Sequence, residues 1–420
     1  MPSSNTHPET PSSRIDQAAA RVETKVIAIR RDIHEHPELG NREFRTAKLI
    51  AERLETLGIE TRTGVAHTGV VGILRGGRPG RVVALRADMD ALPVTEETGL
   101  PFASKVRTTY NGHEVGVMHA CGHDAHVAIL LGVAEVLSGV REEIPGAVVF
   151  IFQPAEEGAP EGEEGGAELM VKEGALDDPK VEVIFGLHVG SRFALNTIAF
   201  RPGAQQAAVD SFKIRVLGKQ THGAYPWLGV DPIVVASQIV LGLQTIPSRQ
   251  LNSTIAPSIV TIGTIHGGVR NNIIPEEVEL NGTIRSLDVR MREELHMRIR
   301  RTAEAIATSA GASAEVTITR GYPMTYNEPA LVERMTPTLR RVAGAENVSI
   351  AHASLGAEDF SFFQQKVPGM FFWMGTRPPQ YSAETAPSNH SPRFVLDERG
   401  LLLGVRALTH MAVDYLGDSE

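Results

Sequence analysis

Near Ala207 the hydrophobic rhythm of the chain changes, and this change constrains the fold more than any other feature. Ahead of it, "VVGILRG", "RVVALRAD", "GAVVFIFQ" and "VEVIFGLHV" are short apolar runs, and "AHVAILLGVAEVLSG" is helical, as are the amphipathic stretches from Arg14 to His36 and from Glu43 to Gly58. Strands alternating with helices predict an α/β layer with a largely parallel sheet, whose sites belong at strand C-terminal ends. Beyond Ala207 come strand "SFKIRVLG", helix "DPIVVASQIVLGLQTI", strands "STIAPSIVTIGTIHG" and "EEVELNGTIRSL", helix "REELHMRIRRTAEAIATSA" and strand "SAEVTITRGY". This β-α-β-β-α-β order is ferredoxin-like. After Pro323 the α/β alternation resumes. The expected division is a disordered tail over 1–13, an α/β domain in two segments, 14–206 and 320–420, and an inserted α+β domain over 207–319. A chain of 420 residues is long enough for two cores.

Polar clusters fall where the predicted strands run out: "RADMDALP", "HACGHDAH", "FQPAEEG", "GLHVG" and "SNHSPRF". In the second, Cys121 and His123 flank Gly122, which permits a bend that turns a thiolate and an imidazole toward one point. Both donors suit a divalent transition metal. Glu157, His188 and His390 extend the set to five ligands, enough for two ions sharing a bridge, and two ions with a water make a hydrolytic centre. Of the adjacent Glu156 and Glu157, one coordinates while the other is free to take a proton from the water. Asp90 is the candidate acceptor that orients a ligand histidine. Asp124 reads either as a helix N-cap or as part of the site. Each histidine taken singly reads equally well as a hydrogen-bonded structural residue, and Cys121 as packing.

Composition narrows the function classes. A net charge of −9 with no long basic run argues against nucleic acid or an anionic membrane as partner. No apolar run approaches the ~20 residues that span a bilayer. A single cysteine and an N-terminal segment without a signal-peptide core fit a cytoplasmic protein. There is no G-x-S-x-G elbow, H-E-x-x-H helix or Walker loop.

With these motifs the chain resembles the co-catalytic metallopeptidases that include aminoacylase and carboxypeptidase G, and is most similar to the subfamily of hippurate hydrolases and plant auxin-conjugate amidohydrolases. The resemblance runs from about Arg14 to the C-terminus through "HPELGNREFRTA", "LRADMDALP", "HACGHDAH", "FQPAEEG", "GLHV", "THGAYPWLGVDPI", "RNNIIPEEVELNGTIRSLD", "GAEDF" and "NHSPRF". It implies a di-metal α/β domain carrying a ferredoxin-like dimerisation or lid domain. Cys121, His123, Glu157, His188 and His390 would be the ligands of two divalent ions per subunit (manganese, zinc or cobalt), and Glu156 the general base. His222 of "THGAYP" would stabilise the oxyanion, reaching the site of the partner in a homodimer. Two departures are visible: Asp88 stands where carboxypeptidase G has a ligand histidine, and a cysteine where a bridging aspartate is expected.

The implied reaction is hydrolysis of an N-acyl amino acid or a small peptide, a small-molecule amide, by activated water. Asn272 and Arg285 are candidates to hold the amino-acid carboxylate, or else surface residues at a sheet edge. Two other readings stay open: a cysteine amidase with Cys121 as nucleophile and His123 or His119 as base, and a non-catalytic binding protein.

Overall fold

The computed structural model describes residues 11–417, which form two compact units, each with its own hydrophobic core. The larger holds residues 11–203, 327–351 and 362–417; the smaller holds 204–326 and 352–361. Residues 1–10 of the expected tail lie outside the described residues. Pro11–Ser13 do not belong to a tail: they open the helix Pro11–Glu35, where proline's fixed φ suits the first position.

In the larger unit an eight-stranded sheet runs in the order Glu60–Val65, Gly69–Arg75, Pro145–Gln153, Arg78–Asp88, Val183–Ala194, Gly369–Arg377, Ile198–Phe200, Val348–Ile350. The four strands from Pro145–Gln153 to Gly369–Arg377 are parallel, flanked by antiparallel pairings. Their apolar runs are buried because helices and loops cover the sheet. The helix His123–Gly139 is apolar on nearly every side and accordingly buried, packed against Pro11–Glu35, Leu401–Gly417 and the strand Arg78–Asp88. Its N-terminus is thereby fixed at the rim where the parallel strands end.

A hairpin interrupts the approach to that rim. Arg107–Tyr110 pairs with His113–Gly116 across Asn111 and Gly112, whose φ values are 50° and 78°. Asn-Gly between two such runs is the strongest short hairpin signal, and it marks an element absent from the expected strand order.

The smaller unit is a four-stranded antiparallel sheet in the order Ser258–Gly267, Glu277–Ser286, Ala208–Leu217, Ser313–Arg320. The helices Pro232–Thr245 and Val289–Ser309 both pack on it, giving the ferredoxin-like arrangement. Asp231 and Asp288 cap these helices with side-chain bonds to backbone N–H groups, which is why both start where they do. Residues 352–361 also belong here rather than with the α/β part, because Ser354 exchanges backbone hydrogen bonds with Gln205 and Ala207 at 2.8 and 3.1 Å.

Candidate metal centre

Four chain segments meet at the C-terminal rim of the parallel strands, carrying Cys121 and His123, Glu156 and Glu157, His188, and His390. Gly122 has φ 92° and caps the helix His123–Gly139, and a Cβ there would lie 2.3 Å from Val189 Cγ2, so only glycine permits this turn. The turn brings Cys121 Sγ to 3.3 Å from His188 Nε2. After the strand Pro145–Gln153 the chain turns through Ala155, with φ 51°, to present Glu156 and Glu157. His390 follows Asn389 on a loop, with φ 71°, and its backbone N–H donates to Ala120 O at 2.7 Å. Two non-glycine residues in left-handed conformations beside the same cluster are typical of functional sites, where surrounding contacts hold strain of about 1–3 kcal/mol each.

The histidine tautomers follow from their hydrogen bonds. His123 Nδ1 donates to the Asp90 carbonyl at 2.9 Å, and His188 Nδ1 donates to the Val189 carbonyl at 2.8 Å. Both rings therefore turn Nε2, with its lone pair, inward. Asp90 acts on His123 through its backbone carbonyl and, at 3.3 Å from the same ring nitrogen, through carboxylate Oδ1, while Oδ2 accepts the Glu157 N–H at 3.0 Å. Asn389 donates to the carbonyls of Cys121 and Val189 at 3.0 and 3.2 Å, tying two ligand-bearing loops together.

Cys121, His123 and His188 form one group with donor atoms within 4.8 Å of one another, and Cys121, Glu157 and His390 form a second. The two groups share Cys121. His123 Nε2 is buried and lacks a hydrogen-bond partner among the described residues, and Glu157 Oε1 has only the His390 imidazole Nε2, 3.0 Å away, beside it. Buried polar atoms that crowd without bonding need another partner, and a divalent cation supplies one, so the residues present fit a metal. Hydrogen bonds to Cys121 and Glu157 raise His390 to about 10, and burial pushes the Cys121 thiol up. Such a set must release protons to bind a cation. Glu156, nearly buried, places Oε2 at 4.0 Å from His123 Nε2.

Sequence reasoning missed the shell behind this cluster. Asp88 binds His126 Nδ1 at 2.5 Å and Arg86 at 2.6 Å, and His126 Nε2 accepts the Val189 N–H at 2.9 Å. His126 is thus committed on both ring nitrogens and is not a free ligand. Glu43 accepts the Ala155 N–H at 2.9 Å and the Thr68 hydroxyl at 2.6 Å, and burial, reinforced by the Asp90 charge, lifts it to about 8. Asp124 is no N-cap: it pairs in the core with Arg30 at 2.7 Å and His34 at 2.8 Å. Period-two spacing in "RADMD" and the i, i+3 pair His123/His126 were the available signals.

The remaining candidates lie in the smaller unit. His222 is exposed on a two-residue strand paired with Ile273–Ile274, its Nδ1 accepting the Ala224 N–H at 3.0 Å. Asn272 is exposed beside it, its carbonyl accepting the Gly223 N–H at 2.8 Å. Arg285 is not at a sheet edge. It lies on Glu277–Ser286, paired on both sides, half-buried and without a carboxylate partner among the described residues.

The chain matches the family described as Peptidase family M20/M25/M40 over residues 84–414. It is 43% identical over 396 residues to thermostable carboxypeptidase 1 of Saccharolobus solfataricus, covering 94% of this chain and 96% of that one. It is 39% identical to N-acetylcysteine deacetylase of Bacillus subtilis, covering 93% and 96%. Its structure is similar to that of the Bacillus subtilis YXEP protein, described as a dinuclear metal-binding peptidase, with a TM-score of 0.79, 36% identity and coverage of 95% and 99%. Together the ordered motifs, the fold and these similarities establish that the chain belongs to peptidase family M20/M25/M40.

Proposed function

We propose that the protein is a metal-dependent amidohydrolase that cleaves N-acyl amino acids or small peptides to a carboxylate and a free amine. The observation that carries this reading is the pair of ligand groups joined at Cys121, with Glu156 beside them. Cys121, His123, Glu157, His188 and His390 would hold two divalent ions, manganese, zinc or cobalt. Ions so held supply Lewis acidity toward the amide carbonyl and toward water.

Glu156 takes the proton of the attacking water and returns it to the leaving nitrogen. His123 and His188 donate Nδ1–H to backbone carbonyls, which leaves Nε2 as the ring nitrogen each would offer to a metal. In the smaller unit, the partnerless guanidinium of Arg285 supports a role in holding the amino-acid carboxylate, with Asn272 as a second donor. His222 stabilises the oxyanion from the partner subunit of a homodimer. Exposed Leu241, Ile233 and Val234 on the helix Pro232–Thr245, and Ile259 and Ile265 on the outer strand, support association through this unit. A lone, metal-ligating cysteine fits the reducing cytoplasm. No helix among the described residues is long and apolar enough to cross a membrane.

A cysteine-nucleophile mechanism is disfavoured, because Cys121 is buried and its thiol is pushed up, the reverse of an activated nucleophile. The test is turnover of a panel of N-acyl amino acids and dipeptides by protein stripped of metal and reloaded with manganese, zinc or cobalt. Activity is expected only after reloading, and Glu156→Gln should bind metal normally yet lose at least about a hundredfold in rate. Full activity in stripped protein would reject the metal reading.

A further inference from the structure

In the larger unit Glu43 is a buried carboxyl with no place in the reaction described above. It occupies the N-cap of the helix Phe44–Thr56, yet its side chain makes no capping bond. Glu38 takes that role, accepting the backbone N–H groups of Arg45 and Thr46 at 2.9 and 2.8 Å. The Glu43 carboxyl, 0% exposed, is thereby free for other partners. Its two oxygens meet two other turns: Oε1 accepts the Ala155 N–H at 2.9 Å, and Oε2 the Thr68 hydroxyl at 2.6 Å.

Both turns hold strained backbone. Ala155 has φ 51°, and Ala66 and His67, directly before Thr68, have φ 50° and 74°. A left-handed alanine persists only where its neighbours hold it. Ala155 precedes Glu156, so the orientation of its peptide decides where the Glu156 carboxyl points. Two carboxyl groups bracket that residue: Glu43 takes the N–H of Ala155 before it, and Asp90 Oδ2 takes the N–H of Glu157 after it at 3.0 Å. The segment leading to Glu43 also packs on the turn. A Cβ on Gly40 would lie 2.9 Å from Gly158 O and 3.1 Å from Ala155 Cα, so the approach is as close as glycine allows. Without the Glu43 carboxyl the buried Ala155 N–H would have lost its acceptor, and the turn would relax to find another.

We propose that Glu43 is a positioning residue for Glu156: by tying the strained Ala155 turn to the turn Ala66–Thr68, it fixes the carboxyl of the base beside the ligand His123. The proposal rests on the reading of Glu156 as general base and adds the group that orients it. A misplacement of about 1 Å in a reacting group costs about a hundredfold in rate, so the effect falls on kcat. Metal binding is spared, because the ligand Glu157 has its own anchor in Asp90. Glutamine at position 43 keeps a carbonyl oxygen for the Ala155 N–H and turns its amide N–H toward Thr68 Oγ1, which accepts as well as donates. Burial, reinforced by the Asp90 charge, lifts Glu43 to about 8, so near pH 7 glutamine matches it in charge as well as in shape.

The test compares Glu43→Leu, Glu43→Gln and Thr68→Val, each alone and combined with Glu156→Gln, in metal-loaded protein with the best substrate of the panel above. Glu43→Leu is expected to lose at least about thirtyfold in kcat, with KM changed by less than about threefold and metal content unchanged, and Glu43→Gln to stay within about threefold of wild type. In the Glu156→Gln background Glu43→Leu should cost less than about threefold, since a residue that acts through the base then has nothing to position. An equal loss in both backgrounds, a loss explained by missing metal, or a Gln variant as poor as the Leu variant overturns the proposal. If Glu43→Leu does not fold, Thr68→Val decides, because it removes one of the two anchors. A loss of about threefold or more in kcat that vanishes in the Glu156→Gln background supports the proposal, and no loss overturns it. If Glu156→Gln alone stays active, or no substrate is turned over, the base reading fails on its own. The anchor is then judged by amide hydrogen exchange of residues 153–158 in metal-stripped protein, read by mass spectrometry. Exchange at least about tenfold faster in Glu43→Leu and unchanged in Glu43→Gln supports it, and equal exchange in all three proteins rejects it.

Discussion

Replacing Arg86 with Met tests whether the buried shell behind the ligands holds the rim together. Arg86 is 1% exposed and Asp88 0%, and the guanidinium meets the carboxylate at 2.6 Å while its Nε donates to Gln153 Oε1 at 2.7 Å. Burial by itself would raise the Asp88 carboxyl, but the charges of Arg86, His123 and His126 outweigh it and hold the group well below the carboxylate range. Removing one member of a buried pair strands the other's charge, at about 3–5 kcal/mol. Methionine keeps most of the volume and His126 still bonds Asp88, so the lower end, about 3 kcal/mol, is expected. That is a large share of a typical stability of about 5–15 kcal/mol. Urea unfolding of metal-stripped protein measures the loss without added stabilisation from bound ions. The chain has two tryptophans, and Trp373 lies on the strand Gly369–Arg377, so a Trp227→Phe background makes Trp373 the reporter of the larger unit. Adding Asp88→Asn removes the stranded charge and should recover about 1–2 kcal/mol, a coupling that independent residues lack. A loss below about 1 kcal/mol for Arg86→Met would refute the reasoning.

Other outcomes follow from the same geometry. Cys121→Ala should lower bound metal below one ion per chain as well as rate, because both ligand groups lose a donor; elemental analysis with two ions retained would reduce the cysteine to packing. In the smaller unit, burial opposes the Asp210 charge, but hydrogen bonds from Arg292 and His296 hold its carboxyl well below the usual range. Its stabilisation is therefore fully present above the unfolded value of about 3.9 and fades as pH falls toward the folded one. Asp210→Asn should weaken the unit near pH 7 and flatten the acid limb of its unfolding curve followed by Trp227, and an unaltered limb would contradict this. His222→Ala and Glu156→Gln, each nearly inactive, should recover about one quarter of wild-type activity when their subunits exchange, since half the dimers then hold one complete site. No recovery after verified exchange rejects the shared site.

The sequence made some of this legible and hid the rest for physical reasons. "HACGHDAH" and "FQPAEEG" could be read because the turn residue, the donors and the strand ending are contiguous, so local chemistry specifies them. The Arg86–Asp88–His126–Val189 chain could not, because its links join a strand, a helix and a second strand far apart in sequence. Glu43 was read only as the start of an amphipathic helix, and its contact with Ala155 spans 112 positions. Residues 352–361 show no period at all, and their place is fixed by long-range contacts, among them backbone bonds to Gln205 and Ala207. The hairpin is different, since Asn111-Gly112 was in plain view and went unused.

Because Cys121 belongs to both ligand groups, two ions held there would not load independently. The thiol is pushed up by burial, so whichever cation arrives first must displace its proton. His390 of the second group, raised to about 10 by its hydrogen bonds to Cys121 and Glu157, would likewise have to give up a proton before it could hold a cation. Metal uptake would thus rise with pH through both groups, the Cys121 thiol and the His390 imidazole each giving up a proton to it.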